Sequence, residues 1–127
     1  MNNPELAAVF SEAADSIRAN GLLKGTFVTY RGPAGTLPVM DPLGALSQAI
    51  TGKPVPPDAF DQCDDLYQEA VWFLSSRISS PVVDDDPEER IADWGDHEDR
   101  TADQVVAALT SAAVAVVDLP AGLGVAA

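Results

Sequence analysis

The sequence predicts a mainly α-helical fold: a compact bundle of four to five helices with a small β-hairpin after the first helix. Apolar residues recur at helical spacing in several separate segments. A proline behind a capping residue marks three helix starts, at Asn3-Pro4, Asp41-Pro42 and Asp86-Pro87. The 127 residues, 46 % of them apolar, suit one domain with a proper core. We expect a single helical domain over residues 1–118 and an apolar tail of small residues over 119–127.

The first helix is predicted to begin at Asn3 and to end at Asn20-Gly21. Asn3 can cap the free amides, Pro4 suits the first turn, and Glu5 suits the positive end of the helix. Apolar residues follow at a spacing of three to four: Leu6, Val9, Phe10, Ala13 and Ile17. This spacing is typical of an amphipathic helix with one buried face.

Two β-prone runs, residues 26–30 and 36–40, flank a turn rich in glycine and proline, so the sequence predicts a hairpin. Pro38 has no amide hydrogen and must lie at a sheet edge. Asp41-Pro42 then begins a short helix that ends at Thr51-Gly52, and residues 53–57 form a stiff connector because three of them are proline.

The third helix is predicted to begin near Asp58 and to run to about Ile78. Its apolar face comprises Phe60, Cys63, Leu66, Tyr67, Ala70, Val71, Leu74 and Ile78, and Trp72 and Phe73 widen it. Cys63 therefore lies on the apolar stripe of a helix, among aspartates that raise the pKa of its thiol. A thiol in such a place favours a buried structural cysteine over a nucleophile.

Two helices complete the prediction. Asp86-Pro87 begins a short one that reaches Trp94, and Thr101 with Gln104 forms a capping box that opens a last helix over about residues 102–118. Apolar residues nearly encircle the last helix, which is therefore either central or covered by a partner. If the partner is a second copy of the chain, the protein is a homodimer that associates through this helix.

Negative charge is concentrated in one part of the chain. Residues 58–103 carry fifteen of the twenty acidic residues and only three bases, Arg77, Arg90 and Arg100, for a formal charge of −12. Such a surface repels nucleic acid and anionic membranes and attracts basic proteins or cations. We expect a protein partner with a basic surface, and neither direct nucleic-acid binding nor membrane association.

The candidate interaction residues are the acidic peaks of this region and their neighbours: Asp84, Asp85, Asp86, Glu88, Glu89, Asp93, Trp94, Asp96, His97 and Arg100. Helix capping explains Asp86 and the two glutamates that follow it. It does not explain Asp84 and Asp85, which only add repulsion. This excess favours a selected surface, although solubility alone can produce it.

The segment around His97 has several interpretations. Asp93, Asp96 and His97 can hold a weak metal ion or tune a general base, or they can form a solvated connector before the last helix. Trp94 is either an interface anchor or a core residue, and we expect it to pack with Ile91 and Val105. Arg100 is expected to pair with Asp96 or Asp93 over that corner.

No catalytic, cofactor or metal motif is present in the sequence. The glycines are too scattered for a phosphate-binding loop, and one cysteine with one histidine makes no zinc signature. We therefore expect no catalytic residue, no cofactor and no bound metal. Residues 1–5 carry no basic segment ahead of an apolar run, and the longest apolar stretch is too short to span a membrane, so a cytoplasmic protein is expected.

The run Ile91-Ala92-Asp93-Trp94-Gly95-Asp96, followed by Arg100-Thr101-Ala102, resembles the C-terminal signature of a small domain family of uncharacterised function. That family occurs in actinobacteria and their phages. Ala13-Ala14-Asp15 and Leu43-Gly44-Ala45-Leu46 are similar to its opening and central helices. The resemblance implies a shared fold and origin, and it implies no activity.

Two positions depart from that family's pattern. Many members carry a cysteine where this chain has Asp41-Pro42, and an asparagine where it has Gly95. Thiol chemistry at the first position is therefore absent here.

Three functional hypotheses follow. The leading one is a non-enzymatic, acidic protein-interaction module. The second is a phage-derived inhibitor whose carboxylates imitate a phosphate backbone and occupy a basic nucleic-acid-binding protein. The third is a weak metal-dependent hydrolase that uses Asp93, Asp96 and His97.

Overall fold

A computed structural model describes residues 3–78 and 86–118, and over these ranges the fold is mainly α-helical, as predicted. Five α-helices and a two-stranded antiparallel hairpin follow one another as α1 (Asn3–Asn20), β1 (Val28–Arg31), β2 (Leu37–Met40), α2 (Pro42–Thr51), α3 (Asp65–Arg77), α4 (Pro87–Asp96) and α5 (Ala102–Val117). The expected tail of residues 119–127 and the candidates Asp84 and Asp85 lie outside the described residues.

The core forms where α1 packs along α5 and, less extensively, against α2. Phe10 and Ala13 of α1 and Leu109 and Ala112 of α5 have no exposed surface. The alanines allow the two helices to approach closely, and each large apolar side chain buried in this way stabilises the fold by about 1.5–3 kcal/mol.

Only one face of α5 is buried. Val105, Leu109 and Val116 lie in the core, whereas the side chains of Val114 and Val117 are 65 % and 54 % exposed. The described helices and strands therefore leave part of the apolar surface of α5 exposed.

The hairpin pairs Val28 with Met40 and Tyr30 with Pro38. The amide of Asp41 donates to the carbonyl oxygen of Phe27, so Val28 and Met40 form a pair without mutual hydrogen bonds. Alternation along the ladder puts Tyr30 and Pro38 in the same kind of pair. Pro38 therefore directs its ring nitrogen away from β1, which confirms its predicted edge position.

The predicted start of the third helix was wrong. Residues 60–62 form a separate 3-10 turn, Cys63 is extended, and α3 begins only at Asp65. The carboxylate of Asp64 accepts a hydrogen bond from the amide of Leu66 and caps α3. A capping residue has non-helical backbone angles, so one helix cannot pass through Asp64.

Two side chains of this region also differ from the prediction. Cys63 is buried, but it lies in the extended segment before α3 and not on a helical stripe. Trp72 is 46 % exposed, whereas Phe73 beside it is buried and contacts Phe10 across the core. The apolar face of α3 is thus narrower than the sequence indicates.

The predicted caps of α2, α4 and α5 are confirmed, whereas Asn3, the predicted cap of the first helix, is already a residue of α1. Asp41 accepts from the amide of Gly44, and Asp86 accepts from the amides of Glu88 and Glu89. Thr101 and Gln104 form the reciprocal capping box of α5. The helix α4 extends two residues beyond Trp94, to Asp96. Among the described helices, none has the length and apolar character needed to cross a membrane.

Candidate functional site

A pocket of about 290 Å³ opens between the N-terminus of α4 and the proline-rich connector that follows α2. Its apolar part comprises Phe27, Leu43, Pro56, Pro57 and Ala92. Its acidic part comprises Asp58, Asp86, Glu88 and Glu89, and none of the nine lining residues is basic. The volume is at the lower end of the roughly 300–1,000 Å³ typical of ligand pockets, so the site suits a small group or one side chain.

The α4 wall is built by local capping. The carboxylate oxygen of Asp86 accepts from the amides of Glu88 and Glu89, at 2.9 and 3.3 Å. Pro87 is buried, which fixes the first turn of α4 against the body of the protein. The three carboxylates of this turn therefore line one side of a single opening.

Glu88 is held from beneath by α3. The hydroxyl of Tyr67 donates to Oε2 of Glu88 at 2.7 Å, and the Tyr67 side chain is 1 % exposed. Burial raises the pKa of Glu88, although the hydrogen bond from Tyr67 opposes the shift. Burial and the neighbouring Glu88 carboxylate raise the pKa of Tyr67 well above its ordinary value, so the phenol remains a donor at any physiological pH.

The opposite wall is the connector, which is attached to α2. The hydroxyl of Ser47 donates to the carbonyl oxygen of Lys53 at 2.7 Å, and the Ser47 side chain is buried. This bond fixes the start of the connector, whose residues Pro56, Pro57 and Asp58 line the pocket. The pocket thus lies between two segments that are each fixed to the core by hydrogen bonds.

Asp41 is a buried residue whose backbone amide donates to the carbonyl oxygen of Phe27, one of the residues that line the pocket. Its side chain is 4 % exposed and caps α2 through the Gly44 amide at 2.6 Å. Burial and the charge of Asp96 raise its pKa to about 7, despite the hydrogen bonds from the amides of Gly44 and Leu43. Asp41 therefore exchanges a proton near neutral pH.

The Cys63 thiol is also affected by the charge of Glu88. Burial, Glu88 and Asp61 all raise the pKa of its thiol. The sulfur contacts the carbonyl oxygens of Pro57 and Ala59, at 3.8 and 3.5 Å. Cys63 is buried, as the sequence predicted, and a raised thiol pKa disfavours the thiolate form that a nucleophile needs.

The candidate residues at the other end of α4 do not join the pocket. Asp96 accepts from the amide of Gly25 at 2.9 Å, and His97 is exposed, with Nδ1 accepting from the amide of Asp99 at 3.1 Å. The ammonium of Lys24 binds the carbonyl oxygens of His97 and Glu98, which neutralises the carboxyl end of the helix. These contacts fasten α4 to the loop that precedes β1.

Arg100 covers Trp94. Its guanidinium carbon is 4.5 Å from the centroid of the Trp94 ring, and its Nε donates to the Trp94 carbonyl oxygen at 2.9 Å. In the described part of the chain, Arg100 thus makes this stacked contact instead of the predicted ion pair with Asp96 or Asp93. Trp94 is 6 % exposed and, as expected, Ile91 and Val105 are buried with it in the same core cluster.

The pocket and the α4 C-terminus thus divide the sequence-predicted candidates. Asp86, Glu88 and Glu89 come together in the pocket, whereas Asp93, Asp96 and His97 are exposed elsewhere on or after α4. Over residues 3–78 and 86–118, no three histidine, cysteine, aspartate or glutamate side chains assemble to hold a metal ion. The hydrolase hypothesis gains no support from this geometry.

Sequence reasoning did not connect Tyr67, Asp41 or the apolar lining to the site. A signal existed for Tyr67, because helical periodicity put it on the buried face and a buried phenol needs a hydrogen-bond partner. The identity of that partner depends on how α4 packs on α3. Phe27, Leu43 and Pro57 are far apart in sequence, and no local pattern indicates that they meet.

The family model of DUF6197, a family of unknown function, matches residues 1–115 of the sequence. The chain therefore belongs to this family. No curated protein and no solved structure matches the chain.

Proposed function

We propose that this member of a family without an assigned function is a non-enzymatic interaction domain that binds a protein with a basic surface. One observation carries the proposal: the pocket between α4 and the connector has four carboxylates in its lining and no basic residue. Opposite charge attracts and orients a partner, and a concave site with a partly apolar lining lets it bury contact area.

Exposed carboxylates outside the pocket, on α3, on α4 and before α3, support the same kind of partner. Asp61, Asp64 and Asp65 are exposed just before or at the start of α3, and Asp93 is exposed on α4. The whole region 58–103 has a formal charge of −12. A potential of this sign accelerates encounter with a basic protein and weakens as salt rises through the physiological range.

The proposed setting is the cytoplasm, where Cys63 stays a thiol. The nucleic-acid-mimicking inhibitor is a special case of this function. In that case the basic partner is a DNA- or RNA-binding protein, and DNA competes with the domain for it.

Titration calorimetry with a lysine- and arginine-rich peptide, at about 0.05 M and about 0.5 M salt, tests the proposal. We expect the affinity to fall strongly at the higher salt concentration. The pocket variant Asp58→Asn/Glu89→Gln should bind more weakly than the control Glu12→Gln/Asp118→Asn, which changes the net charge equally outside the pocket. Equal loss in both variants, or affinity that does not change with salt, contradicts the proposal.

A homodimer through α5 is a second proposed association, favoured by the exposure of Val114 and Val117. Two neighbouring apolar side chains on the exposed side of α5 form an apolar patch through which two copies of the chain can associate. Analytical sedimentation at two protein concentrations tests it, and Val114→Ser should weaken the dimer. A monomer at both concentrations argues against it.

A further inference from the structure

We propose that the pocket between α4 and the connector binds an arginine side chain of the basic partner, with the guanidinium between the carboxylates of Glu88 and Asp58. This inference rests on the proposed function and deepens it, because it assigns the recognised group and the residues that receive it. It also gives a role to Tyr67, which lies beneath the pocket.

The size and lining of the pocket favour one side chain over a larger ligand. A volume of about 290 Å³ is small for a ligand site, and the lining changes from apolar to acidic. An arginine side chain has the same division, with an aliphatic stem and a charged planar end. The stem can lie against Leu43 and Pro57, while the planar end reaches the carboxylates.

A guanidinium fits better than an ammonium for two reasons. It is more weakly hydrated, so it loses less on entering a partly apolar site, and its planar face stacks on aromatic rings such as Phe27. It also carries five donors in a fixed plane, so one group can bind carboxylates on both walls. An ammonium presents a compact, strongly hydrated charge instead.

The contact between Glu88 and Tyr67 prepares the acceptor. Tyr67 donates to Oε2 of Glu88, which fixes the carboxylate while its other oxygen keeps its capacity to accept. Burial raises the pKa of Glu88 and so disfavours its ionised form. A cation in the pocket reverses this cost, so binding should also lower the pKa of Glu88.

The positive end of the α4 dipole opposes a cation at this place, but it is the weaker effect. Its strength equals roughly half an elementary charge, and the Asp86 carboxylate already accepts from the first free amides. Asp58, Glu88 and Glu89 add up to three further negative charges around the same opening.

The test uses the whole chain and three short capped peptides that differ at one position: arginine, citrulline or lysine. Amide chemical shifts followed by NMR report the site, with Ala92 as the reporter inside the pocket. We expect the arginine peptide to shift Ala92 and to bind about tenfold more tightly than the citrulline peptide, which has the same shape without the charge. Lysine should bind more weakly than arginine.

One variant completes the design. Glu88→Gln keeps an acceptor for the Tyr67 hydroxyl and removes only the charge, so it should weaken arginine binding about tenfold while Glu12→Gln leaves it unchanged. Lysine binding as tightly as arginine, citrulline binding as tightly as arginine, or an unaffected Glu88→Gln variant would each overturn the inference.

The outcomes separate the two proposals. If a lysine- and arginine-rich peptide still binds in a manner that depends on Asp58 and Glu89, while Glu88→Gln and citrulline have no effect, the arginine site is wrong and the interaction domain stands. If that peptide does not bind at either salt concentration, both proposals fail.

Discussion

The carbonyl oxygen of Phe27 lies too close to Gly44 for a Cβ atom on that residue, because the two atoms would overlap. The carbonyl oxygen of Pro54 lies 3.0 Å from the same position and Oδ1 of Asp41 lies 3.1 Å from it. Gly44 therefore lets the segment before β1 and the proline-rich connector both lie directly on α2. Phe27 and the connector residues Pro56 and Pro57 line the pocket, so the pocket depends on this glycine.

Replacing Gly44 by alanine should destabilise the protein, because a backbone oxygen cannot move aside as a flexible side chain can. Alanine gains up to about 1 kcal/mol in a helix. Overpacking typically costs about 1–3 kcal/mol, and two backbone oxygens that cannot shift put this site at the upper end, so we expect a net loss of about 1–2 kcal/mol. Urea denaturation followed by circular dichroism measures it.

Gly95→Ala is the matched control. Its Cβ would meet only the ring atoms Cγ and Cδ of Pro42, both at 3.1 Å, and that ring can shift by a few tenths of an ångström. The unfolding free energy of this variant should stay within about 1 kcal/mol of the wild type. Similar losses for the two glycine variants would contradict the account.

The stability of the protein should fall as pH rises from about 4 to about 7, and Asp41 is one identified cause. Its pKa is about 7 in the fold and 3.8 as a model carboxyl group, so the folded state holds the proton more tightly. Stability that depends on this proton is fully present below pH 3.8 and is lost as pH rises through 7. The loss amounts to about 4 kcal/mol at most, since one pH unit corresponds to about 1.4 kcal/mol.

Asp41→Asn isolates this effect from the repulsion among the other carboxylates. Asparagine caps helices about as well as aspartate and does not titrate. The variant should match the wild type near pH 4 and exceed it in unfolding free energy at pH 7, as measured by urea denaturation at each pH. Parallel pH profiles for the two proteins would show that Asp96 and burial do not raise the pKa of Asp41 as described.

Local hydrogen-bonding patterns were readable from the sequence, and contacts between distant segments were not. The caps at Asp41, Asp86 and Thr101 each involve amides within three residues, so their residue types predict their structures. Two aspartates could begin the third helix. The apolar periodicity continues from Asp58, but the residue that caps the helix is Asp64. Nothing local distinguishes them, because the choice depends on how the preceding 3-10 turn packs.

The candidate site shows the same division. Asp86, Glu88 and Glu89 were identified from charge and capping, which are local properties. The pocket additionally needs Phe27 and Pro57 to approach α4, and these approaches follow from Gly44 and from the bond between Ser47 and Lys53. Sequence patterns report the periodicity of one element and carry no direct signal for a contact across α2.

Arg100 should stabilise the protein through Trp94. Its guanidinium stacks at 4.5 Å from the ring centroid, and cation–π contacts of this kind contribute about 0.5–2 kcal/mol. Arg100→Ala should lower the unfolding free energy by about 1–2 kcal/mol, and Arg100→Lys should recover little of it, because lysine lacks the planar face.

Fluorescence gives a second readout of the same contact. In a Trp72→Phe background, which removes the exposed tryptophan, the emission of Trp94 should move to longer wavelength when Arg100 is replaced and water reaches the ring. Arg31→Ala, at an exposed hairpin position, is the control and should change neither stability nor emission. Unaltered Trp94 emission in Arg100→Ala would show that the guanidinium does not cover the ring.

The capping box of α5 should contribute measurably to the stability of the core. The amide of Gln104 donates to Oγ1 of Thr101 at 3.2 Å, and the amide of Thr101 donates to Oε1 of Gln104 at 3.1 Å. Since α5 packs along α1 over much of its length, fraying of its first turn exposes Val105 of the core.

Thr101→Ala should cost about 1 kcal/mol. Thr110→Ala, at an exposed position inside α5, should be neutral or slightly stabilising because alanine is the better helix former. Thermal denaturation of both variants, of Gln104→Ala and of Thr101→Ala/Gln104→Ala measures the effect. A double variant that loses the full sum of the two single losses would mean that the two hydrogen bonds act independently rather than as one reciprocal cap.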